Sequence, residues 1–325
     1  LCHRLPKVEL HAHLHGSARL STIAELAPPG VDRAVLTSDT ERSLEGCFAL
    51  FAAIHRTVTS LAAVERITAE VLADFAADKV KYLELRTTPR ALADADAEGY
   101  VRAVLRVFEQ FEIDARAVTF PLVPRLILSI DRSGSTEAAH ATVALAARLR
   151  ADAAIGRYVV GVDFSGNPTK AAFGDFEPAF AAARAAGLRT VVHVGEVDHA
   201  ADTDAVLAFR PERLGHALTL SPAHLAALRA APLPIELCPT SNCKAARLTR
   251  PPGTAPVVLT TAPAAHVQLQ GNTPQTAPSF GRARGHMVRQ DAGLSGHRGS
   301  TTPRGWACGG SRGAETPGQA RRRPR

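Results

Sequence analysis

The chain has 325 residues, of which 46% are hydrophobic, and its formal net charge is +7. These values favour a globular protein with a substantial core. No apolar run approaches the roughly 18 residues of a membrane span, and the first residues lack the basic-then-apolar pattern of a secretory signal. Five scattered cysteines without a C-x-x-C pair fit a reducing compartment. We therefore expect a cytoplasmic protein with no membrane partner.

Over residues 1–248, short apolar runs alternate with longer Ala-rich segments of helical period. This is the pattern of βα units around a parallel sheet. The predicted strands span residues 8–13, 82–86, 125–130, 159–164, 190–193, 213–215 and 235–238. The predicted helices include residues 60–80, 136–150, 176–186 and 222–231. Units repeated on this scale predict an α/β fold, a (β/α)8 TIM-type barrel, that lacks its eighth strand.

The composition changes abruptly after residue 248. Residues 249–325 contain 9 Pro, 12 Gly and 11 Arg but only two acids, so their net charge is +9. We predict a domain boundary here and a disordered basic tail, because such a segment buries too little apolar surface to offset the entropy of ordering. A frameshift, alternative splicing or a gene-model error would produce so abrupt a change. Nucleic-acid binding by the tail is less favoured, because no aromatic residues are interleaved with the arginines at 321–323.

His11 and His13 lie at the end of the first predicted strand. Residues two apart in a strand point to the same face, so both imidazoles can enter the mouth of the barrel together. Two neutral imidazoles on a rigid strand suit Zn²⁺, and such barrels keep their active sites at the carboxyl ends of the strands. The pattern H-x-H is common, and core or surface histidines are the alternative. His15 extends it to H-x-H-x-H, which an alternating surface strand would also produce.

Three later segments place ionisable or polar residues at predicted strand ends. They are residues 162–166 (VDFSG), 193–196 (HVGE) and 214–216 (LGH). Taken singly, His193 and His216 could be hydrogen-bonded core histidines. Their coincidence at successive strand ends favours a metal-dependent site instead.

Residues 5–17, LPKVELHAHLHGS, together with HVGE at 193–196 and RLGH at 213–216, resemble the adenosine deaminase family of the amidohydrolase superfamily. The resemblance covers residues 1–248 without a large gap. It implies a barrel of the amidohydrolase kind.

Three further segments are more similar to the adenosine deaminase-like branch of the family, which is known for deaminating N6-methyl-AMP. They are residues 82–90, 129–132 and 236–242. The resemblance implies zinc-dependent hydrolytic deamination of a 6-aminopurine nucleoside or nucleotide. The reaction would convert N6-methyl-AMP to IMP, or adenosine to inosine.

By this resemblance, one Zn²⁺ per subunit would be held by His11, His13 and His193. When bound, the ion would lower the pKa of a water molecule, which would then add to purine C6. The predicted catalytic residues are Glu196, which would donate a proton to the purine ring nitrogen, and His216, which would orient the attacking water. Loss of ammonia or methylamine leaves a hypoxanthine product.

The resemblance also implies substrate-binding residues, namely His13, His15, His55, Thr87, Thr88, Pro89, Arg90, Asp131, Gly166 and His193. Gly166 would let the backbone approach the purine closely. Arg90 would pair with a 5′ phosphate, and a surface arginine is the alternative. His15 departs from the family, in which nucleoside deaminases have Asp here and the nucleotide branch usually has Asn. The expected partner is a small purine nucleoside or nucleotide, bound by a monomer.

A larger departure is the absence of an Asp-Asp dipeptide anywhere in the chain. The family places such a pair on its eighth strand, where one carboxylate binds zinc and the other takes a proton from water. Three histidines can still hold zinc, because catalytic zinc sites often use three protein ligands and a water. A catalytically inactive family member is therefore the alternative. The H-x-E and P-C-x-x-C signatures of cytidine deaminases are absent, which argues against that fold.

Overall fold

The structure of the protein is a computed structural model, which describes residues 5–37, 44–238, 241 and 268–269. Eight strands form one sheet in which each strand is hydrogen-bonded to the next along the chain, and all of these pairs are parallel. The strands are β1 (Lys7–His13), β2 (Val80–Thr87), β3 (Val123–Asp131), β4 (Val159–Ser165), β5 (Arg189–Val194), β6 (Arg213–His216), β7 (Ile235–Leu237) and β8 (Gln268–Leu269).

Ten α-helices lie within the part of the chain that the structure describes. They are α1 (Leu14–Ser17), α2 (Leu20–Leu26), α3 (Arg33–Thr37), α4 (Leu44–Thr57), α5 (Leu61–Ala77), α6 (Ala97–Asp114), α7 (Thr136–Ala151), α8 (Phe173–Ala185), α9 (Ala200–Phe209) and α10 (Pro222–Ala230). The side chains of Ser60, Asp96 and Ser135 accept backbone N–H bonds from the first turns of α5, α6 and α7. Such caps satisfy donors that the start of a helix leaves unpaired.

The predicted fold class is confirmed, since helices alternate with the strands of a parallel barrel. All seven predicted strands are present, and most are one to three residues longer than predicted; β2, for example, spans Val80–Thr87. The four predicted helices correspond to α5, α7, α8 and α10. The first strand ends at His13, so His15 lies on α1 and does not continue an alternating strand.

Beyond the seven predicted strands, the sheet gains one two-residue strand, β8. The backbone of β8 pairs with Glu236 and Leu237 of β7, and β8 also lies against β1, so the barrel is nearly closed. A strand of two residues carries no alternation long enough to be recognised in a sequence. The rest of the predicted tail, residues 249–267 and 270–325, lies outside the described residues.

Aromatic packing fixes the position of β4 against the helical layer. Phe164 of β4 contacts the rings of Phe173, Phe176 and Phe180 on α8 at centroid distances of 5.6, 5.0 and 5.7 Å. Each of these side chains is buried, which stabilises the fold by about 1.5–3 kcal/mol per residue. Among the described residues, no helix combines the length and the apolar composition that crossing a bilayer requires.

Candidate active site

Four histidines meet at the carboxyl ends of β1, β5 and β6. His11 and His13 belong to β1, His193 belongs to β5, and His216 ends β6. His13 Nε2 and His193 Nε2 are 3.1 Å apart. The ring centroid of His11 lies 4.6 Å from that of His193 and 4.9 Å from that of His216. The three predicted zinc ligands and one predicted catalytic residue therefore lie together.

The spacing of these imidazoles fits a single zinc ion. Ligand atoms of His11, His193 and His216 lie within 4.8 Å of one another, as do those of His13, Asp163 and His193. Two nitrogens bound at about 2.0–2.1 Å to one tetrahedral zinc are about 3.3 Å apart. This distance is close to the 3.1 Å between His13 Nε2 and His193 Nε2. His193 belongs to both groups and is therefore the centre of the candidate metal site.

Carboxylates orient two of these histidine rings. Glu236 Oε2 accepts a hydrogen bond from His11 Nδ1 at 2.6 Å, and Asp163 Oδ1 accepts one from His193 Nδ1 at 2.9 Å. With the proton on Nδ1, the lone pair is on Nε2, which in His193 is the nitrogen that faces His13. Carboxylate–histidine pairs of this kind fix the tautomer of metal-ligating histidines.

Burial keeps the imidazoles of His11 and His13 uncharged. It lowers the pKa of His11 well below its usual value, and the positive charge of Arg86 adds to this effect. Burial and the neighbouring His193 likewise lower the pKa of His13. Burial alone would raise the pKa of Asp163, but His193 and Arg86 lower it far below its usual value. Neutral imidazoles have the lone pairs that a metal ion requires.

The two predicted catalytic residues are adjacent. Glu196 Oε1 lies 3.6 Å from His216 Nε2, and the Glu196 side chain is 13% exposed, so a substrate can reach it. His216 has a φ of 63° and Ala217 a φ of 49°. This left-handed conformation is uncommon for residues other than glycine, and such residues cluster at functional sites.

A second group of nitrogen-bearing side chains lies between α1, α4 and the end of β2. The rings of His15 and His55 are in edge contact, with centroids 4.6 Å apart. Arg90 Nη2 lies 3.2 Å from His15 Nε2 and donates to the Val58 carbonyl at 2.6 Å. Because a guanidinium is only a donor, His15 Nε2 is the acceptor. Three predicted substrate-binding residues are thus in one cluster.

Both histidines of this cluster are uncharged near neutral pH. Burial lowers the pKa of His15, and the neighbouring His55 and Arg90 add to the effect. Burial and the charge of Arg90 lower the pKa of His55 to about 4, while the Asp131 carboxylate opposes this shift. Arg90 therefore supplies the positive charge of the cluster and Asp131 the negative charge.

The other predicted substrate-binding residues lie at the ends of β2, β3 and β4. The Thr87 hydroxyl is hydrogen-bonded to the Tyr100 hydroxyl, and residues 88–89 follow it half-buried. Asp131 ends β3, and its Oδ1 accepts from the Ser133 backbone N–H at 2.8 Å. Gly166 directly follows β4 with a φ of 99°.

Replacing Gly166 by alanine is expected to destabilise the protein by about 1–3 kcal/mol. The φ of Gly166 disfavours any side chain, and a Cβ there would collide with Asp131 Oδ1. Gly174, near the start of α8, is the matched control, because a Cβ there meets nothing within 4 Å and alanine is favoured over glycine in helices. Free energies of unfolding from urea titrations check this. Equal values for the two variants would contradict it.

Three charged side chains inside the barrel were not among the predicted site residues. Arg86 on β2, Asp163 on β4 and Glu236 on β7 are at most 2% exposed in their side chains. The Arg86 guanidinium donates to Asp163 Oδ1 at 3.0 Å and to Glu236 Oε2 at 2.9 Å. Asp163 and Glu236 each interrupt an apolar strand, and charges in such strands are buried only when paired. That interruption is the signal by which the sequence indicates them.

Comparison with known proteins agrees with the fold. The adenosine deaminase family matches residues 6–274. N6-mAMP deaminase of Arabidopsis thaliana is 39% identical over 268 residues, which are 73% of this chain and 73% of that protein.

Solved structures have the same architecture. Arabidopsis ADAL complexed with IMP aligns with a TM-score of 0.66 at 37% identity, covering 75% of this chain and 74% of that chain. An amidohydrolase from Burkholderia ambifaria with bound Zn aligns with a TM-score of 0.61 at 27% identity, covering 74% of this chain and 67% of that chain. Because the family matches well over half of the sequence and the barrel is that of these relatives, the chain belongs to the adenosine deaminase family.

Proposed function

We propose that this chain binds one zinc ion through His11, His13 and His193 and acts on N6-methyl-AMP. The family and its N6-methyl-AMP deaminase relatives support hydrolytic deamination of 6-aminopurine nucleotides in general. The observation that carries the zinc proposal is the 3.1 Å approach of His13 Nε2 to His193 Nε2 beside His11. The related amidohydrolase with bound Zn supports zinc as the ion.

The residues around the histidines suit an acid-base reaction at purine C6. When bound, zinc would supply Lewis-acid activation of water. Glu196 would donate a proton to the purine ring, and His216, 3.6 Å from it, would hold the water. Addition of water at C6 and loss of methylamine convert N6-methyl-AMP to IMP, and loss of ammonia does the same for AMP. General acid-base catalysis of this kind contributes about 10²–10⁴-fold to the rate.

The cluster around Arg90 supports a nucleotide rather than a nucleoside substrate. Arg90 Nε is buried and has no hydrogen-bond partner within the described part of the chain. A guanidinium in this state can pair with a phosphate through a charge-assisted hydrogen bond without losing an existing one. Arabidopsis ADAL was crystallised with IMP, which carries a 5′ phosphate.

Replacing Arg90 by glutamine is expected to weaken the binding of IMP about 10- to 100-fold, the effect of losing one charge-assisted hydrogen bond. Binding of inosine, which lacks the phosphate, is expected to change little. Isothermal titration calorimetry with both ligands measures the difference without requiring turnover. Arg106→Gln is the matched control, because Arg106 is exposed on α6 and pairs with Glu65. If IMP and inosine lose affinity equally in Arg90→Gln, Arg90 does not recognise the phosphate.

A further inference from the structure

Arg86 lies behind the candidate zinc ligands, where two carboxylates meet. Its Nη1 donates to Asp163 Oδ1 at 3.0 Å, and its Nη2 donates to Glu236 Oε2 at 2.9 Å. These same two oxygens accept hydrogen bonds from His193 Nδ1 and His11 Nδ1. Each of these oxygens therefore receives one bond from Arg86 and one from a histidine.

We propose that Arg86 is a positioning residue that fixes the orientation and tautomer of His11 and His193 together. Arg86 holds the two carboxylates, and each carboxylate holds Nδ1 of its histidine. We call Arg86, Asp163 and Glu236 the Arg86 bridge. The inference deepens the zinc site proposed above and rests on it, but its first test requires no metal.

The remaining contacts prevent the two carboxylates from rotating. Arg213 Nε donates to the other oxygen of Glu236, Oε1, at 2.6 Å. Ser129 Oγ donates to the other oxygen of Asp163, Oδ2, at 3.1 Å. Both oxygens of each carboxylate are therefore engaged. A carboxylate held in this way presents one defined acceptor to its histidine.

The planar guanidinium of an arginine suits this arrangement better than the ammonium of a lysine. Its two Nη groups lie in one rigid plane and reach separate carboxylates, whereas a lysine has a single nitrogen on a flexible stem. The Leu10 carbonyl, next to His11, also accepts from Arg86 Nη2. Burial alone would lower the pKa of Arg86, but Glu236 and Asp163 raise it, so the guanidinium remains charged.

Stability alone gives little reason for burying three charges at this position. Arg86 and Asp163 are fully buried, and Glu236 is 1% exposed. The cost of desolvating a buried ion pair often exceeds its electrostatic gain, so apolar side chains of similar volume would stabilise the barrel as well. The arrangement does supply orientation, because carboxylate partners fix the ring of a metal-ligating histidine.

Long-range ¹H–¹⁵N correlation spectra of the metal-free full chain, labelled with ¹⁵N-histidine, show which ring nitrogen carries the proton. We expect one tautomer for His11 and one for His193, each with the proton on Nδ1. His11→Gln and His193→Gln assign the signals. A wild-type spectrum with the proton on Nε2 of either residue overturns the proposal before any bridge variant is made.

Variants of the Arg86 bridge separate its parts. Asp163→Asn is expected to change the tautomer of His193 alone. Glu236→Gln is expected to change that of His11 alone. Arg86→Lys is expected to change both. If Arg86→Lys does not fold, Asp163→Asn and Glu236→Gln test the proposal instead. Unchanged tautomers of His193 and His11 in these two variants overturn it.

Arg213→Lys is the matched control for Arg86→Lys. Both remove the guanidinium of an arginine that pairs with Glu236, but Arg213 donates to Oε1, which does not receive the His11 bond. We expect the tautomers of His11 and His193 to stay unchanged in Arg213→Lys. Equal changes in the two lysine variants, or no change in a folded Arg86→Lys, overturn the proposal.

Zinc affinity, measured by chelator competition, gives a second readout. Arg86→Lys is expected to bind zinc about 10- to 100-fold more weakly than wild type, the usual effect of losing a residue that orients a ligand, and Arg213→Lys is expected to resemble wild type. Wild-type zinc affinity in Arg86→Lys overturns the role of the bridge. A wild-type chain that binds no zinc instead overturns the proposed function, while the tautomer spectra still decide on the bridge.

Discussion

Replacing His193 by alanine is expected to lower the zinc affinity of the chain by more than about 100-fold. Loss of a residue that only orients a ligand already costs about 10- to 100-fold, and His193 is itself the ligand candidate shared by both metal-binding groups. Isothermal titration with zinc measures the affinity. Thermal unfolding provides an independent readout, because zinc at about 100 times its dissociation constant stabilises the folded protein by about 2.7 kcal/mol.

His140→Ala is the control for this experiment. His140 is exposed on α7, away from the candidate metal site. Its replacement therefore tests whether the loss of a histidine outside that site also lowers the zinc affinity. We expect His140→Ala to keep the wild-type zinc affinity and the full zinc-dependent stabilisation. We expect His193→Ala to lose both. If His193→Ala retains both, the zinc ion binds at another place in the chain.

The chain of 325 residues is expected to release methylamine from N6-methyl-AMP about 10²–10⁴-fold more slowly than the Arabidopsis relative, which is the contribution of one general base. The family resemblance assigns that base to an Asp-Asp pair, and the sequence contains no such pair. Methylamine or ammonia release is measured for N6-methyl-AMP, AMP and adenosine with one equivalent of zinc. Turnover near that of the relative would show that the predicted inactivity is wrong.

A chimera separates the loss of the base from a failure of the histidine site. In it, residues 249–325 are replaced by the corresponding segment of Arabidopsis N6-mAMP deaminase, and we expect deamination to be restored. The control is the same chimera in which the Asp-Asp pair that the family resemblance places in that segment is changed to Asn-Asn, which is expected to bind zinc without turnover. A folded, zinc-binding chimera that remains inactive would contradict the roles proposed for Glu196 and His216.

The sequence predicts those parts of the site that lie at strand ends. β4 and β5 are short apolar runs with a polar residue at the carboxyl end or one position before it, so the parallel sheet and the place of His193 follow from the pattern alone. The convergence of His11 and His13 with His193 follows from the topology of the barrel, because all strand ends meet at one mouth.

Contacts between distant elements could not be predicted. The bonds of Arg86 join residues 77 and 150 positions apart, and which carboxylate meets which histidine depends on the register of neighbouring strands. The contact of His15 with His55 depends on the packing of α4 against α1, which no local pattern reveals. The disordered tail and its nucleic-acid alternative stay predictions, because residues 249–325 lie outside the described residues except for β8.

The strands shorten along the sheet, from nine residues in β3 to three in β7 and two in β8. A strand with few ladder hydrogen bonds opens locally at a lower free energy cost than a long one. We therefore expect the amide protons of β7 to exchange with solvent faster than those of β3. Glu236 lies in the middle of β7, so each opening of this strand releases the carboxylate that orients His11.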